Sequence, residues 1–391
     1  MKLLIYSHFF APSIGGVETI VLSLARGLSE LRESSGAREF EITLVTQTPA
    51  GNFDDAPLPF RVVRRPGALG LWRLIRSSDI VHVAGPALAP VILGQLARRP
   101  IVVEHHGFQT ICPNGQLFIE PHGVPCPGHF MAERHGECLR CNSGQGWFFS
   151  WKLWLLTFVR RFLSAQVAAN ITPTEWLAGL LELPRSTAIH HGLELAQTVS
   201  RNPAPSGIVV FVFMGRLVTT KGTHLLLRAA KILQGQNRRF ELLIIGEGPE
   251  RAALEQFVSD NQLEAHVRFA GRLDDSELDA AFGQASAVVV PSLGGEVFGL
   301  VVTENMLRAL PVVASDIGAF LEVLGGAGLT FRTGDAADLA RALSLILDDP
   351  SLAASLGQRA RRRALDFSQS RMIEAHARLY QLVSQQIVTE C

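Results

Sequence analysis

Short apolar runs rich in valine and isoleucine recur through both halves of this chain, and each is followed by a stretch with helical spacing. Strands separated by helices in this way do not pair as tight hairpins. They build parallel sheets from βαβ units. In the first half the runs lie at 3–6, 42–46, 80–83, 101–104, 168–172 and 188–190, and in the second at 209–213, 241–245, 267–269, 287–290 and 312–314. Between the halves, residues 199–207 (VSRNPAPSG) read as a linker. The expected fold class is α/β, with two Rossmann-like parallel-sheet domains facing each other across a cleft, at residues 1–200 and 207–369.

The 391 residues, 47% hydrophobic and 18% charged, suffice for two domains with substantial cores. Lysine plus arginine equal aspartate plus glutamate at 36 each, so no net field draws in nucleic acid. The opening MKLLIYSHFFAPSIGG is too short in apolar residues for a signal peptide and reads as a first strand. No apolar run reaches the length of a spanning helix. A cytoplasmic address is expected, with the inner face of the membrane as a peripheral station.

Residues 291–315 (PSLGGEVFGLVVTENMLRALPVVAS) carry the most chemistry. Glu296 and Glu304 stand eight positions apart across a strand-to-helix junction, the helix expected over 299–310. In open α/β sheets ligands bind beyond the carboxyl ends of strands, at helix N-termini that favour anions. Two acids there suit a ligand with both hydroxyls and phosphates, such as a nucleotide sugar. The plainer reading of two helix acids is a solvated face. GRLVTTKG follows the first strand of the second half, with Arg216 and Lys221 as cations able to neutralise a pyrophosphate. Gly246 and the segment Gly271, Arg272 and Leu273 also follow strands. So does the pair Gly15 and Gly16, which opens a helix expected over 19–29 and permits close approach to a phosphate. IVVEHHG at 101–107 ends a strand with His105 and His106, either of which can donate to a hydroxyl or carry a proton near neutrality.

Together these segments resemble the retaining glycosyltransferases of family 4, whose E-x7-E signature matches at Glu296 and Glu304. The resemblance runs from Gly15 to Glu322 and implies the two-domain GT-B architecture. It implies that Glu296 contacts hydroxyls of the transferred sugar, with Phe298, Gly299 and Leu300 completing its loop, and that Glu304 holds the ribose. Arg216 and Lys221 would bind the diphosphate of a UDP- or GDP-type donor and replace a catalytic metal. Gly271, Arg272 and Leu273 would lie along the base, Gly15 and Gly16 opposite the diphosphate near a sugar or lipid-linked acceptor. His106 is the matching histidine, and His105 is as readily structural. Residues 370–391 would form a helix crossing back onto the N-terminal domain. The sequence departs from the family at AIHHGL, where His191 stands in place of an asparagine before Gly192. A nucleotide-sugar epimerase of similar architecture and a non-catalytic nucleotide-sugar binder are the alternatives.

Two segments remain. Within an insert at 108–146, Cys112, Cys126, Cys138 and Cys141 sit in a stretch with little periodicity. Four thiolates would make a closed structural zinc site. Disulfides compete, disfavoured in a reducing compartment, and separate thiols are the plain reading. Residues 147–163 (WFFSWKLWLLTFVRRFL) wind, at helical spacing, into a broad apolar stripe and a narrow polar one of Ser150, Thr157, Arg161 and Ser164. Burial in the core is the expectation. The rival is an interfacial helix with aromatic rings among lipid headgroups.

Overall fold

The computed structural model describes residues 1–13, 15–33, 35–194 and 207–390, with the backbone alone for residues 145 and 386–390. All but the last residue of the expected linker at 199–207 lies outside the described residues. The chain divides into two compact units. The first comprises 1–116, 128–194 and 367–391, and the second 117–127 and 195–366.

In chain order the elements begin with β1 (Lys2–Ser7), α1 (Gly16–Glu30), β2 (Glu41–Thr46), β3 (Arg61–Arg64), α2 (Ala68–Arg76), β4 (Ile80–Ala84), α3 (Leu88–Leu96) and β5 (Ile101–Glu104). A hairpin of β6 (Phe118–Ile119) and β7 (Val124–Pro125) follows, then α4 (His135–Cys141), α5 (Trp147–Ser164), β8 (Ala169–Thr172), α6 (Glu175–Leu181) and β9 (Ser186–Ala188). The second unit continues with β10 (Val210–Met214), α7 (Thr223–Gly235), β11 (Glu241–Ile245), α8 (Arg251–Asp260), β12 (Val267–Gly271), α9 (Asp275–Gln284) and β13 (Ala287–Val290). It closes with α10 (Leu300–Leu307), β14 (Val312–Ser315), α11 (Gly318–Leu324), β15 (Leu329–Phe331), α12 (Ala336–Asp348) and α13 (Pro350–Ala364); α14 (Gln369–Glu390) returns to the first unit.

Each unit has its own parallel sheet, ordered β3-β2-β1-β4-β5-β8-β9 in the first and β12-β11-β10-β13-β14-β15 in the second. In both, strand order reverses beside the unit's first strand. A crevice opens at such a switch point because the flanking crossovers leave in opposite directions. The expected α/β class with two Rossmann-like sheets is what the chain adopts. Beyond the expected strands are β3, β15 and the hairpin, whose Phe118 is buried in the core of the second unit.

The central strands are buried on both faces, as parallel sheets require. Leu4, Tyr6, Val81, Val83, Ile101 and Val103 form the heart of the first core, and Phe211, Ile244, Val289, Leu226 and Leu343 belong to the second. The second unit's β–α loops interlock through backbone: Leu217 N donates to Glu247 O at 3.0 Å, Gly246 N to Gly271 O at 2.7 Å and Leu293 N to Thr220 O at 2.7 Å. Gly246 makes this approach feasible, at φ 133°. A Cβ there would stand 1.9 Å from Gly215 O. We expect Gly246→Ala to cost the second unit about 1–3 kcal/mol, read as a lowered urea midpoint. An unchanged midpoint would show that the loops do not depend on this contact.

Candidate functional site

At the switch point of the second sheet, the loops after β10 and β13 bring together residues 75 positions apart. Lys221 Nζ donates to Glu296 Oε1 at 2.6 Å, and Ser292 Oγ donates to the same oxygen at 2.8 Å. The Glu296 side chain is 12% exposed, so its charge is partly desolvated and its two donors matter. Ser292 is held in turn, its carbonyl accepting from buried Ser315 Oγ at 2.7 Å. Arg216 is exposed at the end of β10, and Gly246 follows β11. Gly271 ends β12, with Arg272 exposed and Leu273 half-buried after it.

The helix after Glu296 is α10, shorter than the expected 299–310. Gly299 precedes it at φ 96°, and a Cβ there would lie 2.5 Å from the Phe320 ring. Phe298 is buried, while Leu300 opens the helix half-buried. Glu304 follows one turn later. Burial pushes its carboxyl above the ordinary carboxylate range, with Arg308 pulling the other way. The sequence pairing of Glu296 and Glu304 therefore resolves into unlike groups: one ion-paired, one desolvated.

In the first unit, Gly15 and Gly16 stand at the start of α1, which begins three residues ahead of the expected 19. The Glu18 carboxylate folds back so closely that a Cβ on Gly15 would meet its Oε2 at 2.4 Å. Ser7, His8, Phe9, Glu18, His106 and Gln109 are among the residues lining a cavity of about 350 Å³ at this sheet's switch point.

Behind that cavity lies a constellation that sequence reasoning missed. Glu104, fully buried at the end of β5, has four imidazoles around its carboxylate. His82 Nε2 is 3.2 Å from Oε2, His106 Nε2 and His376 Nε2 are each 3.7 Å from it, and His191 Nε2 is 3.5 Å from Oε1. These residues come from β4, β5 and the turn after it, the turn after β9, and α14. Tyr380 on α14 hydrogen-bonds His82 Nδ1 at 3.0 Å. Burial works to raise the Glu104 carboxyl, but the imidazoles, His106 foremost, reverse this and hold it well below the usual carboxylate range. Burial draws His106 down to about 4. His105 faces away and bonds Asn170 Oδ1 through Nε2 at 2.8 Å. His191, the departure from the family pattern, thus has a buried carboxylate as its neighbour.

Of the cysteines, Cys112 Sγ donates to Asn114 Oδ1 at 3.0 Å, and Asn114 Nδ2 donates to Cys141 Sγ at 3.6 Å. Cys138 is buried on α4, whereas Cys126 belongs to the hairpin segment packed with the second unit. None of the four is in a disulfide. Among the described residues, the group of three or more metal-type ligand atoms lying within 4.8 Å of one another is Glu104, His106 and His191, not the cysteines.

Helix α5 reverses the expected burial. Its polar stripe faces inward: Ser150, Thr157 and Ser164 are buried, Ser150 Oγ donating to Leu139 O at 2.6 Å and Arg161 Nη1 to Leu181 O at 2.6 Å. Its aromatic face is outside, with Trp147 65%, Phe148 78% and Phe162 67% exposed. The stripe was legible from spacing; its direction was not, because it depends on partners such as Leu139 O and Leu181 O that only the fold brings to Ser150 and Arg161.

Residues 198–363 match the family described as Glycosyl transferases group 1. The chain is 38% identical over 176 residues to a phosphatidyl-myo-inositol mannosyltransferase of Mycolicibacterium smegmatis, covering 44% of this chain and 45% of that one. It is 28% identical over 411 residues, 98% of each chain, to a GDP-mannose-dependent alpha-(1-6)-phosphatidylinositol monomannoside mannosyltransferase of the same organism. The matches to the first curated relatives span about half of their length, 45% and 55%. Among solved structures, an Anabaena protein in complex with UDP and glucose aligns with a TM-score of 0.71 at 18% identity, over 97% of this chain and 99% of that one. Sucrose-phosphate synthase of Thermosynechococcus elongatus aligns over 100% of both chains with a TM-score of 0.72 at 19% identity. At such identities the likeness is one of fold, and that fold is GT-B.

The raised Glu304 carboxyl has a consequence for stability. Folded, it keeps a proton that the unfolded chain releases, so stability falls as pH rises from the ordinary carboxylate range through the raised value. Glu304→Gln is therefore expected to melt higher than the parent at about pH 8, with the gap closing near about pH 4. Equal melting curves at both pH values would contradict a desolvated carboxylate.

Proposed function

We propose that this chain, a GT-B protein like the glycosyltransferases of family 4, transfers a sugar from a nucleoside diphosphate sugar to a sugar or lipid-linked acceptor with retention of configuration. The observation that carries the reading is the Lys221–Glu296 pair, 2.6 Å apart at the switch point of the second sheet and inside the segment matching the family. A base and an acid held together there form a site for a ligand bearing both phosphate and hydroxyls. The relative named for GDP-mannose and the fold neighbour holding UDP and glucose support a UDP- or GDP-type donor.

In this reading Arg216 and Lys221 bind the diphosphate, Glu296 receives hydroxyls of the sugar, and Glu304 accepts from the ribose. Gly246, Gly271, Arg272 and Leu273 border the nucleotide, and Phe298, Gly299 and Leu300 shape the turn that presents Glu296. Gly15 and Gly16 bring the start of α1 close to the ligand, and His106 donates to a sugar hydroxyl from the cavity wall. The anomeric carbon–oxygen bond breaks with its electron pair passing to the β-phosphate. The acceptor oxygen bonds the same carbon on the same face, and its proton goes to the departing phosphate. Catalysis is then positioning plus stabilisation of the leaving group by fixed cations, which make a divalent metal at the diphosphate unnecessary. Cell-surface polysaccharide or glycolipid assembly at the inner face of the membrane is the setting we infer.

The outward aromatic face of α5, with Lys152 exposed beside it, supports a peripheral station on an anionic bilayer. No described helix is long and apolar enough to cross a membrane.

A panel of UDP-, GDP-, ADP- and dTDP-sugars with candidate acceptors tests the transferase reading. One nucleoside diphosphate should be released with the sugar joined to acceptor in its original anomeric configuration, and Arg216→Ala should lose about 10²–10³-fold in turnover. An isomerised donor, or tight binding without conversion, would overturn it. For the bilayer, the chain should float with anionic liposomes, and Phe148→Ser with Trp151→Ser should abolish flotation. A parent chain that stays at the bottom of the gradient would end the proposal.

A further inference from the structure

We propose that the buried cluster of Glu104, His106 and His191 binds a divalent transition-metal ion, zinc by preference, as a three-ligand centre in the first unit. The ligand atoms lie within 4.8 Å of one another. In a tetrahedral zinc site with bonds of about 2.0–2.1 Å, neighbouring ligand atoms stand about 3.3 Å apart. The carboxylate-to-imidazole distances, 3.5 Å from Oε1 to His191 and 3.7 Å from Oε2 to His106, are close to that edge, each from its own oxygen. They are at or beyond the limit for hydrogen bonds between such groups. Both His106 ring nitrogens are buried without a hydrogen-bond partner.

The tautomer of a neighbour adds an independent argument. His376 Nδ1 lies 2.9 Å from the Met372 carbonyl, which can only accept, so Nδ1 carries the proton. In a neutral ring Nε2 then presents a lone pair, and it faces the Glu104 carboxylate at 3.7 Å. Lone pair against carboxylate is repulsive unless a positive charge sits nearby. A second proton on this ring would supply it, and so would a metal ion held by the carboxylate. The ion also gives His106 Nε2 something to bind and leaves Nδ1 as the nitrogen that donates to the sugar hydroxyl. The three residues leave a fourth position of the tetrahedron to another ligand such as water. Imidazole and carboxylate ligands in a tetrahedral frame favour zinc over magnesium or calcium. The reading does not depend on the transferase activity.

Metal content separates this site from any metal on the cysteines. The full chain is stripped with chelator, reloaded with zinc or cobalt, and compared with Glu104→Gln and His191→Ala by plasma mass spectrometry and visible absorption. We expect the variants to lose one metal equivalent per chain. With it should go the cobalt bands of a tetrahedral nitrogen–oxygen site, while any thiolate-to-cobalt charge-transfer bands remain. If Glu104→Gln does not fold, His191→Ala gives the answer alone. Equal metal content in parent and folded variants, or cobalt absorption wholly of thiolate type, overturns the proposal.

Discussion

An ionised carboxylate in an apolar interior would cost several kcal/mol if nothing neutralised it, and Glu104 is such a group. Its neighbours explain how the first unit closes. Imidazoles converge on it from β4, from the turns after β5 and β9, and from α14, almost at the chain's end. The contacts span 272 positions between Glu104 and His376. Further pairings secure the return of the terminal segment: Leu193 N donates to Phe367 O at 3.0 Å, Gln369 N donates to Leu193 O at 2.9 Å, and Tyr380 reaches His82. Side chains therefore join segments far apart in sequence around one charge, and the cavity beside His106 takes one of its walls from that arrangement.

The second unit fixes its β–α loops by other means. Backbone hydrogen bonds run from one β–α loop to the next, and glycines let the chains approach more closely than any side chain would permit. Only a few side chains then need placing, and Ser292 and Lys221 place Glu296. A backbone scaffold tolerates change in neighbouring side chains; a buried charge network does not. The two units thus differ in which substitutions they can absorb, despite sharing a sheet topology.

Much of this was legible in the residues. Parallel strands buried on both faces read as continuous apolar runs, so the central strands of both sheets emerge directly. β3 and β15 do not, since RVVR carries charge at both ends and LTF is three residues long beside glycines. Glu296, Lys221 and Arg216 stood out because loops at strand ends concentrate polar residues among apolar ones. The cluster around Glu104 gave no such signal. A single acid at a strand end, and histidines at positions 82, 191 and 376, look unrelated until the fold assembles them. His191 offered one clue, a ring where a smaller amide was expected. α5 shows the limit of periodicity: spacing defines two stripes, but which one turns inward depends on the carbonyls waiting there.

That inward turn affects how the protein behaves in a tube. With Ser150 bonded inside to Leu139 O, the outer surface of α5 is left mainly to aromatic rings, with Lys152 the exposed charge among them. Tryptophan and phenylalanine rings left in solution find each other as concentration rises. Size and scattering measured on the purified chain are therefore expected to vary with concentration and with any detergent in the buffer. A particle that appears larger than one chain reports the stickiness of this face before it reports a defined assembly.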